Sequence, residues 1–122
     1  LFFSENEIAE INWLITEGMR RLDKIENDLR VLVADSEDSN NPLADVIKAA
    51  LIDVCPETQF LAVKRSRAGL KLVRAKMEIE EFSDSDAEEV CRVLDDVKAI
   101  GRMMSESAQT YQQFLRRQAE CN

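Results

Sequence analysis

A chain of 122 residues carrying a formal charge of −8 and 45% hydrophobic residues is long enough for one domain with one core, and too apolar to be disordered. Three glycines, two prolines and 6% aromatic residues leave too little turn material for an all-β fold, and the acidic balance repels nucleic acid and anionic membrane over most of the surface. No apolar run approaches the roughly 18 residues of a membrane span, and the absence of histidine excludes Ser-His-Asp and Cys-His systems, an imidazole base and the Glu-x-x-His centre of ferritin-like bundles.

Leu1-Phe2-Phe3 is too short for a signal-peptide core and lacks a basic lead. The chain begins without Met, so we treat residues 1–122 as a single helical domain that fits an excerpt from a longer protein. Ser4-x-x-Glu7 forms a capping box, and Phe3 and Ile8 flank it at the positions of a hydrophobic staple. Ile8, Ile11, Ile15, Gly18, Leu22, Ile25, Leu29 and Leu32 then follow in steps of three and four, with Gly18 the one break in the apolar seam. "DSEDSNN" at 35–41 ends this first helix. The longer run "DSEDSNNPLADV" has the length of a calcium loop but lacks Gly at its sixth position and Glu at its twelfth, which makes it a solvated linker.

Asn41-Pro42 supplies an N-cap and a first-turn proline for a short second helix over about 42–54. Pro56 either opens a third helix or kinks a continuous one, and that helix extends to about 82. "SDSD" at 83–86 is a cap cluster in which Ser85-x-x-Glu88 reads as a second capping box. In the last helix Ala87, Val90, Leu94, Val97, Gly101, Met104, Ala108, Tyr111 and Leu115 repeat the three-four spacing, and Val93, Ile100 and Phe114 add an adjoining row. The expected fold is all-α: an elongated antiparallel bundle of three long helices, with one short helix before the third and coiled-coil-like packing.

Residues 62–76, "AVKRSRAGLKLVRAK", hold six basic residues and no acid. On a helical wheel Lys64, Arg67, Lys71 and Arg74 fall within an arc of about 80°. An apolar arc of Val63, Leu70, Val73 and Met77 lies to one side, and a second of Leu61, Ala68, Leu72 and Ile79 to the other. A helix contacted on both arcs would present the basic row along a groove edge. Acids of the first helix, among them Glu7, Glu10, Glu17, Asp23 and Glu26, and Asp95 and Asp96 of the last, are its natural internal partners. Otherwise the row awaits an anionic ligand, an acidic protein segment or a polyanion. Stacking aromatics are absent between Phe60 and Phe82, which disfavours nucleic acid.

Trp13 lies roughly 150° from the seam of the first helix, either as an outward anchor for a partner or under the cover of Phe2, Phe3 or another helix. Gly18 and Gly101 occupy mid-helix seam positions beside Met19, Met103 and Met104. Either the helices approach closely there, or adaptable Met side chains line a ligand-sized hollow. Cys55, Cys91 and Cys121 are odd in number and far apart, which fits reduced thiols in an intracellular, cytoplasmic protein and gives a poor zinc set. No phosphate-binding or dinucleotide glycine pattern occurs. The expectation is a non-enzymatic adaptor-like module with no cofactor or metal, acting by self-association, as in a homodimer, or by docking another protein. The alternative is anion binding through the basic row.

Overall fold

The computed structural model describes residues 3–121, without the side chains of 107, 108, 110–112, 114, 115, 118, 119 and 121. Four helices follow in order: α1 (Glu5–Glu37), α2 (Ala44–Val54), α3 (Pro56–Glu78) and α4 (Asp84–Cys121), and no strand occurs among the described residues. The chain is therefore an all-α bundle. The capping box that opens α1 is complete: Ser4 N–H donates to Glu7 Oε1 at 3.1 Å and Glu7 N–H to Ser4 Oγ at 3.2 Å. Phe3 also makes a contact beyond α1. Its ring meets Phe82 edge-on at 4.9 Å, tying the start of α1 to the connection between α3 and α4.

Asn41 does not cap α2 directly. Its Oδ1 accepts from Leu43 N–H at 2.9 Å in a turn ahead of the helix, so α2 starts at Ala44 rather than near 42. At Pro56 the chain breaks rather than kinks. Cys55 takes a left-handed conformation (φ 53°), ending α2, and Pro56 opens α3 at a position where no helical amide bond is lost. Neighbouring contacts place α2 against α1 and α4, with little of it touching α3.

α3 stops at Glu78, short of the expected 82, because its last turn closes in a Schellman arrangement. Glu81 N–H reaches Lys76 O at 2.9 Å, Glu80 N–H reaches Met77 O at 3.3 Å, and Glu80 sits at φ 59°. The cap of α4 correspondingly lies two residues earlier than Ser85-x-x-Glu88. Ser83 N–H and Oγ–H both donate to Asp86 Oδ2 at 3.0 Å, and Lys76 Nζ holds the other carboxylate oxygen at 2.9 Å. Asp86 is thus buried yet fully occupied.

The two long seams meet in one core. Ile15, Leu22 and Leu29 of α1 and Val90, Val93 and Val97 of α4 are buried with Val63, Leu70 and Val73 of α3. Ile47, Leu51 and Val54 of α2 extend that core. Each fully buried Leu, Ile or Val contributes about 1.5–3 kcal/mol of transfer free energy, which offsets the entropy of ordering the chain. The seam positions Ala108, Tyr111 and Leu115, with Phe114, lie outside the described side chains, and Phe2 lies outside the described residues.

A non-glycine residue in the left-handed region costs about 1 kcal/mol. Glu80→Gly is accordingly expected to raise the free energy of unfolding by about that amount, read as a shift in the urea midpoint. The Lys76 ammonium, with the Ser83 bonds adding to it, holds the Asp86 carboxyl below its ordinary 3.8. A depressed carboxylate adds stability that is complete above its unfolded value and is lost as pH falls through the folded one. Asp86→Asn should therefore lower stability at neutral pH and flatten the acid limb below 3.8 in urea melts taken across pH.

Candidate interaction surfaces

α3 packs chiefly on α1 and α4, which themselves touch, so its two main neighbours lie on the same side of it and cover one face. That geometry decides the fate of α3. Its Val63, Leu70, Val73 arc is buried and Met77 is partly covered, while Leu61, Ala68, Leu72 and Ile79 face outward. The expectation of two contacted arcs is thus corrected: only one is covered. Leu72 is 59% and Ile79 64% exposed, and with exposed Ala75 they form a three-four stripe along the outside of the bundle, interrupted by Arg65.

The basic row straddles the boundary between the two arcs. Arg67 Nη2 bridges Asp23 Oδ1 at 2.8 Å and Glu26 Oε2 at 2.6 Å across the α1–α3 contact. This pairing holds the Glu26 carboxyl below the ordinary range and raises Arg67. Arg74 Nη2 donates to Thr16 Oγ1 at 2.6 Å and more weakly to Asn12 O at 3.4 Å. Lys64 and Lys71 stand exposed beside the outer stripe, with no ion pair among the described residues. Two members of the row therefore serve the α1–α3 contact and two face solvent.

Surface pairs within single helices make up much of the remaining charge. Arg20 and Arg21 both hold Glu17, whose carboxyl the Arg20 hydrogen bond above all draws down to about 2. Arg92 joins Glu89 and Asp96. The adjacent acidic pairs Glu88-Glu89 and Asp95-Asp96 consequently diverge, as their spacing requires.

Trp13 is 62% exposed on the outer face of α1, in line with Arg20, Lys24 and Val31. Neither Phe3 nor a neighbouring helix buries it. Cys55 and Cys91 are free thiols at the surface, and Cys121 lies outside the described side chains.

The two seam glycines have opposite surroundings. At Gly18 an added Cβ would stand 3.0 Å from Leu94 Cδ2 and 3.1 Å from Leu70 Cδ1, so side chains of α3 and α4 meet on it. At Gly101 an added Cβ would meet nothing within 4 Å. Met19 packs against the core beside Gly18, whereas Gly101 and Met104 line a groove of about 930 Å³ between α1 and α4. Ile25, Leu32, Val97 and Met104 form its apolar floor. Leucine side chains from two helices thus fill the space beside Gly18, and the space beside Gly101 is open.

Two features escaped sequence reasoning. One is the outward orientation of the α3 stripe. The other is the set of cations around the groove, Arg21, Lys24, Lys98 and Arg102, which come from helices far apart in the chain. The signal available for the second was Gly101 itself, set between Lys98 and Arg102 on one helix.

Opposite responses are expected at the two glycines. Gly18→Leu should destabilise the bundle by about 1–3 kcal/mol through overpacking. Gly101→Ala should stabilise it by about 1 kcal/mol, since helix propensity improves at no steric cost. Thermal and urea unfolding of both variants measure this directly. No protein-family model, curated protein or solved structure matches this chain.

Proposed function

We propose that the chain is a non-enzymatic interaction module that docks another protein through the outer face of α3. The observation that carries this reading is the apolar stripe Leu61, Ala68, Leu72, Ala75 and Ile79, exposed at helical seam spacing on a bundle whose core is already filled. A stripe with that period is the surface a partner helix packs against, with anchors at every third or fourth residue. Lys64, Arg65 and Lys71 run along it, so two copies of the same face would bring like charges together. This favours a different protein over self-association through α3. Trp13 offers a further aromatic anchor on α1. An anionic ligand on the basic row is the weaker reading, because Arg67 and Arg74 are already engaged by α1.

The test pairs wild type with a Leu72→Glu/Ile79→Glu variant. Both positions are exposed, so unfolding free energies should agree within about 0.5 kcal/mol. In affinity capture from the native lysate, a partner retained by wild type and by Lys64→Ala/Lys71→Ala, but lost by the double Glu variant, fits docking through the stripe. Equal capture by wild type and the Glu variant, or loss only in the Lys variant, contradicts it.

A further inference from the structure

We infer that the α1–α4 groove around Gly101 is a second docking site, one that accepts an acidic amphipathic helix. The α1 wall carries Arg21, Ile25, Asp28 and Leu32, and the α4 wall Val97, Gly101 and Met104, each in three-four steps. Two parallel ridges with that period, separated by a gap and open to solvent, have the form that receives the ridge of a third helix. The open stretch from residue 21 to 32 is about 17 Å long, or three helical turns. Ile25, Val97 and Met104 lie deep in the groove, 7%, 2% and 9% exposed, and the half-exposed Val31 with the partly covered Leu32 supplies its open apolar surface.

Charge selects the occupant. Arg21, Lys24, Lys98 and Arg102 edge the groove against a single acid, Asp28, in a chain whose net charge is −8. Asp28 engages Lys24 at 2.9 Å, and Arg21 has a long contact to Glu17 at 3.3 Å. Lys98 and Arg102 have no ion pair among the described residues. A helix with an apolar ridge and acidic flanks would meet the floor with the first and these two cations of the α4 edge, Lys98 and Arg102, with the second. A lone acyl chain would remain largely in water in a trough open along its length, which argues against a lipid.

The proposal rests on reading the chain as a protein-docking module, but on a surface separate from α3, so the two ideas fail independently. The probe is a fluorescent synthetic helix with Leu at three-four spacing and Glu on its flanks. A Lys-flanked version and a scrambled acidic version serve as controls, with oleate and phosphatidylserine vesicles in parallel. The acidic helix should bind at least about tenfold more tightly than either control peptide and weaken as salt rises. Gly101→Leu, which fills the gap, and Lys98→Glu/Arg102→Glu, which reverses an edge, should each lower its affinity about tenfold, with helical circular dichroism unchanged. Leu72→Glu should leave it as in wild type. Equal binding of acidic and basic helices would overturn the inference, as would indifference to Gly101→Leu. So would loss of binding in Leu72→Glu alone, or saturation by oleate or vesicles but not by the helix. A wild-type dimer that dissociates in Gly101→Leu would assign the groove to a second copy and equally overturn it.

Discussion

The bundle depends on the packing of leucines from two other helices against α1 at Gly18. Without a side chain there, the methyl groups of Leu70 of α3 and Leu94 of α4 pack against the α1 backbone at one level. A helix-interior glycine costs about 1 kcal/mol relative to alanine, and the leucine contacts packed into its place offset that cost. Arg67 pairs with Asp23 and Glu26 beside this point. This cation, held by two carboxylates, joins one turn of α3 to adjacent turns of α1.

Packing at one level has consequences at others. Because α1 and α4 both lie on the same side of α3, that helix buries a single arc and leaves a second apolar arc bare. Toward the other end of the bundle α2 packs on α1 and α4, and these two helices leave a gap at Gly101. The same chain thus has a filled core, an outer apolar stripe and a cation-edged groove. Each surface follows from where the helices are tight and where they are not.

Much of this was legible in the sequence and some of it was not. The Ser4–Glu7 box and the three-four seam of α1 required only local geometry, and burial of Ile15, Leu22 and Leu29 matches their spacing. Asp23 and Glu26 were among the acids expected to answer the basic row, and Arg67 binds both. The cap of α4 was misplaced because Ser83-x-x-Asp86 and Ser85-x-x-Glu88 both fit the pattern. Long-range help from Lys76 selects the first. Left-handed Cys55 and Glu80 carry no glycine to announce them. The two arcs of α3 are equally apolar in sequence, and only the closure of three helices decides which is covered. Gly18 and Gly101 likewise look equivalent along the chain, since the distance between helices is a tertiary property.

The central claim is that α3 hides one apolar face and leaves the other in water. Methyl NMR with a soluble paramagnetic agent reads this residue by residue in the intact protein. The account requires strong broadening of the Leu61, Leu72 and Ile79 methyls while those of Val63, Leu70 and Val73 stay sharp. Equal protection of both sets, or the reverse pattern, would contradict it.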